Sequence, residues 1–232
     1  MSDVDNDNIT LPRYVSSVNI PYPRPVSRTQ PYHHGNLRPV LVETAVELAR
    51  STGPDGVVLR EVARRAGVSH NAAYRHFEDR AALLAEVADS AMAQLEEAMR
   101  ARADAVTEAD PALRAVRRLG ETGRAYVHFA ITEPGLFAVA FTSPEGVAVH
   151  RDPATLGGPY AFLNSVLDEL VEVGALAPDL RQGADVACWA MVHGFADLSV
   201  HGPLHAIPAA LREPLLEAVL DVVERGLVSP TP

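Results

Sequence analysis

The stretch from Leu59 to Arg80, Leu-Arg-Glu-Val-Ala-Arg-Arg-Ala-Gly-Val-Ser-His-Asn-Ala-Ala-Tyr-Arg-His-Phe-Glu-Asp-Arg, leaves this chain few local folds. A short amphipathic run (Val62, Ala63, Ala66) reaches Gly67; after Val68 and Ser69, a second run turns Ala73 and Phe77 inward. That spacing predicts two short helices crossing at a tight turn, a helix-turn-helix. Ala63 is small enough for close crossing, and Gly67 can supply the positive φ the turn needs. Val68 is the apolar plug beneath the turn, and Ser69 is placed to cap the second helix by accepting a backbone N–H. The second helix then points His70, Asn71, Tyr74, Arg75 and His76 outward.

Two ordinary core helices joined by a glycine turn would share the spacing, so the outward face decides between the readings. The chain carries a net charge of −10, and a solvated face of such a protein should be rich in Asp and Glu. From Ser69 to Phe77 there is no acid at all. The side chains shown are those that hydrogen-bond base edges and phosphates in a DNA major groove. His70, Asn71 and Arg75 are the candidates for base contacts, since Asn can pair bidentately with adenine and Arg with guanine. Tyr74, His76 and Arg80 are assigned to phosphates, Arg80 with help from the positive end of the following helix. Ser69 adds a further phosphate donor.

Charge is unevenly distributed. Residues 28–80 hold eight arginines against six acids, net +2, and residues 81–232 hold ten arginines against twenty-one acids, net −11. The overall acidity argues against a nucleic-acid partner for the body, not for this segment. No lysine occurs anywhere, which a GC-rich coding bias would explain. Whatever its cause, it excludes a Walker-type phosphate lysine, a Schiff base and a lysine general base.

From about Leu37 to Ala88 the chain resembles the DNA-binding domain of the TetR family of bacterial repressors. The elements match in order: a first helix, the helix-turn-helix, Tyr74-Arg75-His76-Phe77, and Arg80 opening a fourth helix with Ala-Leu-Leu behind it. Further on, Trp189-Ala-Met-Val-His193-Gly194 resembles the Trp…His-Gly signature of one C-terminal subgroup of that family. The resemblance implies an all-α protein: a three-helix DNA-binding domain, then an antiparallel helical domain for ligand binding and dimerisation. One departure is visible. The residue before the first motif helix is often a capping Ser or Thr in the family, whereas here it is Val58, after Val57. Losing that cap costs about 1 kcal/mol and one backbone contact, which Arg60 is assigned to replace.

Punctuation sets the organisation. Residues 1–31 are polar and interrupted by Pro12, Pro21, Pro23, Pro25 and Pro31, so they read as a flexible arm, whose Arg24 and Arg28 could also reach a phosphate or a minor groove. Residues 32–82 form the expected DNA-binding domain and 83–232 the C-terminal domain. The first helix starts after Asn36 and ends at Gly53-Pro54-Asp55-Gly56. The fourth runs from about Asp79 to Ala105. Helices are expected at 111–132, 134–142, 159–174, 182–201 and 209–227, with 143–158 a loop near a pocket entrance. The helix 182–201 has small residues at Ala187, Ala190, Gly194 and Ala196, which allow close packing; paired with 159–174 it resembles the two-helix face through which the family dimerises as a four-helix bundle.

Phe129, Phe137, Phe141, Tyr160, Trp189 and His193 are the candidates for an effector pocket; Tyr126, Phe162 and Phe195 join the same aromatic set. Plain core packing explains most aromatics at such spacing, and His128 and His193 are either polar anchors or histidines bonded to carbonyls. Cys188 is the single cysteine, so neither an internal disulfide nor a cysteine-rich zinc site is available, and no cofactor or metal is expected. No run of about 18 apolar residues and no leader pattern occurs, pointing to the cytoplasm. Gly-x-Ser-x-Gly, His-Glu-x-x-His and glycine-rich phosphate loops are lacking, which disfavours an enzyme. The expected partners are therefore a palindromic double-stranded operator, an unknown small-molecule effector and a second copy of the chain. The alternative is a ligand- or protein-binding module that keeps the fold and no longer binds DNA.

Overall fold

Apolar residues at helical spacing, cut by Pro, Gly and short polar caps, give every regular element among the described residues helical form. The computed structural model describes residues 37–141 and 158–227. The arm at 1–31, the cap at Asn36 and the loop at 143–157 lie outside them.

The first helix, α1, is Leu37–Gly56, with Leu41, Ala45, Leu48 and Ala49 buried. Its regular turns end at Gly53, whose φ of 69° and ψ of −173° are not helical, and Pro54 opens one last turn. The motif helices follow: α2 at Leu59–Arg65 and α3 at His70–Tyr74. Between them Gly67 takes a φ of 70°, and the Val68 N–H closes onto the Ala63 carbonyl at 3.0 Å. Ala63, Ala73 and Phe77 are buried. The Ser69 hydroxyl caps α3 by accepting from Ala72 N–H at 3.2 Å, whereas Val58 gives α2 no such bond.

The long helix α4, Arg80–Asp104, starts from Asp79, whose carboxylate accepts the Ala82 N–H at 2.8 Å. It buries Leu83, Leu84, Val87, Ala88, Ala91, Leu95, Met99 and Ala103 along one continuous side. Each full-sized residue in that row contributes about 2 kcal/mol of apolar transfer free energy. Arg80, at its first turn, donates from Nε to the Val57 carbonyl at 2.9 Å and from Nη2 to the Pro54 carbonyl at 2.7 Å. It thereby fastens the α1–α2 connection to the start of α4.

Beyond Asp110, which caps through Leu113 N–H, come α5 at Pro111–Thr132, α6 at Pro134–Phe141, α7 at Pro159–Glu172, α8 at Ala184–Val200 and α9 at Ala209–Leu227. A short 3₁₀ turn, Pro203–Ala206, links the last two. α6 lies on α1 and α4 together. At the contact, a Cβ on Gly135 would sit 1.9 Å from the Ala49 carbonyl oxygen, so only glycine permits the approach. Arg50 closes the junction, reaching Glu133 at 3.0 Å and Gln94 at 2.6 Å.

The helix expected to share the dimer face with α8 shows a largely polar outward side. The outward side of α7 carries Ala161, Ser165, Asp168 and Glu172, while Phe162, Val166, Leu167 and Leu170 are buried. Exposed apolar side chains instead share α8 (Val186, Met191, Leu198) and α9 (Leu211, Leu215, Val222). Those two helices also pack on each other.

Gly135→Ala should lower stability by about 2 kcal/mol, because the backbones must part. A lower urea midpoint with unchanged slope checks this. Arg80→Met should cost about 1 to 2 kcal/mol through the two carbonyl hydrogen bonds it removes, read from the same titration.

Candidate nucleic-acid interface and ligand cavity

A five-residue helix owes its shape to what it leans on. Ala73 and Phe77 are buried against the core, so His70, Asn71, Tyr74, Arg75 and His76 all remain exposed. The rings of His70 and Tyr74, one turn apart, meet edge to face at 4.6 Å. The Tyr74–Phe77 segment is held from α1 by Arg38, a residue with no local signal. Its Nη1 donates to the His76 carbonyl at 2.7 Å, its Nη2 meets Glu86 at 2.7 Å, and its guanidinium lies 4.5 Å over the Phe77 ring.

The arginines near this face divide into two kinds. Arg64 and Arg65 both bond Glu61, and those hydrogen bonds hold its carboxyl down at about 2. Arg60 and Arg75 are exposed and enter no ion pair among the described residues. Arg80, assigned to a phosphate from the sequence, also has a structural role. It is partly buried, and two of its donors, Nε and Nη2, reach the Val57 and Pro54 carbonyls of the loop that follows the break at Gly53.

A cavity opens in the other half, among α4, α5, α7, α8 and α9. Of the six residues expected around it, Phe141, Tyr160 and Trp189 line it. Phe137 and His193 form the layer behind, their rings 5.5 Å apart and each in ring contact with Tyr126 and Phe141. Phe129 is elsewhere: it is buried beside the groove between α4 and α5 with Ala98, Ala125 and Thr132, since one turn along α5 from Tyr126 the helix faces α4. Tyr126, Cys188 and Glu224, with Met92 and Met99 of α4, complete the walls that matter chemically.

Most polar groups in the wall are already satisfied. Trp189 Nε1 donates to the Tyr126 hydroxyl at 3.3 Å, and that hydroxyl lies 2.8 Å from His193 Nδ1. Having accepted one hydrogen bond, the phenol can donate its O–H to Nδ1, an arrangement that requires neutral imidazole. Burial favours the same state, pushing His193 below its ordinary value against the pull of Asp197. Burial also pushes the Tyr126 phenol up. The Tyr160 hydroxyl donates to Asp185, and Thr122 donates to the Arg118 carbonyl at 2.8 Å. Cys188 is buried, and desolvation raises its thiol to about 11. Among the described residues no group of three His, Cys, Asp or Glu side chains could hold a metal ion, and no helix is long and apolar enough to cross a membrane.

Two family models match the chain. Residues 41–87 match the bacterial regulatory proteins of the tetR family, and residues 119–223 the tetracyclin repressor-like C-terminal domain. Among solved structures, a Rhodococcus sp. RHA1 protein of unknown function is 30% identical over 86% of this chain and all of its own, with a TM-score of 0.68. A transcriptional regulator from the same organism is 26% identical over 84% of this chain and 99% of its own (TM-score 0.55). A TetR family transcriptional regulator of Thermus thermophilus shares the fold at 21% identity, over 80% of this chain and 97% of its own (TM-score 0.53). No curated protein matches at a significant level. The motif geometry around Gly67, the helical body behind it and the matches to both halves agree: the chain belongs to the TetR family of transcriptional regulators.

Proposed function

We propose that the protein is a homodimeric repressor that reads a two-fold-symmetric operator and leaves it when a small molecule enters the C-terminal cavity. The observation that carries this reading is the acid-free exposed face of α3 on an acidic body. His70, Asn71 and Arg75 read base edges, while Ser69, Tyr74, His76 and Arg60 grip phosphates. Arg80 acts one step back, by holding the loop before α2 in place. No catalytic role is assigned to any residue.

A helix of five residues makes too few contacts for tight binding alone, and two copies one helical turn of DNA apart solve this. The exposed apolar residues of α8 and α9 favour these helices as the self-complementary contact, a four-helix bundle in the dimer. Release follows from size. The cavity, about 50 Å³, is smaller than ligand sites of roughly 300 Å³ and above. An effector must therefore push its walls apart, and α4 supplies two of them, the compliant Met92 and Met99. Tilting α4 changes the spacing of the reading helices, and a ligand preferring the altered spacing shifts the population off DNA.

Selection of genomic fragments on the purified protein at two salt concentrations tests the reading. Recovery of a symmetric sequence, lost as salt rises, is expected. Recovery of nothing at low salt would favour a DNA-silent sensor instead. On the recovered fragment, Tyr74→Ala with Arg75→Ala should weaken binding at least 100-fold, about 3 kcal/mol; unchanged affinity would sink the site assignment. Leu215→Asp with Val222→Asp should yield a folded monomer in sedimentation, with the helical circular dichroism of the parent. A dimer that survives both charges would place the interface elsewhere.

A further inference from the structure

Among the described residues Glu224 is the one carboxylate in the wall of an otherwise apolar and aromatic cavity. It lies on the inner side of α9, one turn beyond Leu220, and is half-buried. Across from it stands Gly120 of α5, where a Cβ would come within 2.6 Å of the Glu224 Oε1. The space that this glycine leaves is filled by the carboxylate.

The nearest cation does not neutralise it. Arg124 of α5 is committed to Glu217, by a bidentate pair, and to Glu121 at 3.1 Å. Glu121 is also met by Arg102 at 3.2 Å. Among the described residues Glu224 enters neither an ion pair nor a hydrogen bond, and Glu217 and Asp221 on its own helix add like charge. Desolvation accordingly raises its carboxyl above the ordinary value, against the weaker pull of Arg124. The tyrosine, tryptophan and threonine polar groups of the wall are spent on internal bonds, as described above. Among the described residues of the wall the carboxylate is the charged group with capacity left.

The opposite end of the cavity is aromatic. Tyr126 and Phe141 stand there, with Trp189 and Tyr160 in edge contact at 5.7 Å beside them. Along α5, Gly120 and Tyr126 are separated by a rise of about 9 Å. The wall therefore changes from anionic to aromatic over the length of a medium-sized organic molecule.

We infer that the effector is an organic cation: an amine at one end, placed against Glu224, and an apolar chain or ring system running toward Tyr126 and Phe141. The ammonium restores a partner to a carboxylate that burial has left without one, and the aromatic faces attract any positive charge that moves along the cavity. An anion of the same shape meets Glu224 with like charge, and a neutral molecule gains only the apolar contact.

This inference rests on the reading of the cavity as the effector site, and two readouts separate them. Titration calorimetry on the full chain compares octylamine, octan-1-ol and octanoate, which share a tail and differ in charge. Octylamine should bind at least tenfold more tightly than octan-1-ol, and octanoate more weakly than either. Glu224→Gln should erase the preference while leaving octan-1-ol binding unchanged, which shows that the cavity is intact. Equal binding of the three, binding of none, or a preference that survives Glu224→Gln overturns the inference. Release of the selected DNA fragment is measured separately. Glu224-dependent binding of octylamine without release would overturn the effector role and leave the ligand chemistry standing.

Discussion

One unbroken helix with one unbroken buried side is the constraint on which this architecture depends. α4 packs on α1 near its start, on α6 along its middle, and on α5 and α7 toward its end, with apolar residues from Leu83 to Ala103 in a single row. Nothing in it resembles a hinge: it contains no proline or glycine. The two ends must therefore move as parts of one rod. What separates α3 from the cavity is distance along that rod, with the same close-packed interior at each step.

The rod needs stops, and polar side chains supply them at small cost in area. Asp79 and Asp110 fix where α4 and α5 begin. Arg80 and Arg38 fix how the motif sits on α4 and α1, and Arg50 fixes α6 on α1. All of these cations are guanidinium groups, whose planar fork can bind two acceptors at once. A chain without lysine can in this way use each charge as a small bracket between helices.

Local signals carried most of the architecture. The pattern of Pro, Gly and caps predicts 111–132 and 209–227 with the ends observed, and the start of α8 shifts from 182 to 184 only because Gly183 stands in a left-handed conformation. Gly67, Ser69, Ala63 and Ala73 take the places their chemistry dictates, since turn and cap are decided within a few residues. Other residues depend on partners far along the chain. Arg80 bonds carbonyls 23 and 26 positions before it, and Arg38 one 38 positions after it. Phe129 shares its helix and its chemistry with Tyr126, and only the placement of α4 sends the two to different surroundings. Periodicity reveals an apolar face without saying what covers it: the apolar side of 159–172 is buried within the chain, whereas α9 has apolar residues both inward and outward. Glu224 reads as surface charge in the sequence and becomes a wall residue only when α5 offers a glycine opposite.

The buried thiol of Cys188 gives the molecule a built-in clock. It is the single cysteine, it lines the cavity, and burial holds it in the unreactive protonated form. A thiol reagent can modify it only in the moments when α8 parts from its neighbours, so the rate of modification in native conditions counts those openings. Because the protein has no second thiol, the count needs no engineering and no correction for other sites. A compound that props the cavity open and one that seals it would drive that rate in opposite directions, so the breathing of this domain can be timed without DNA.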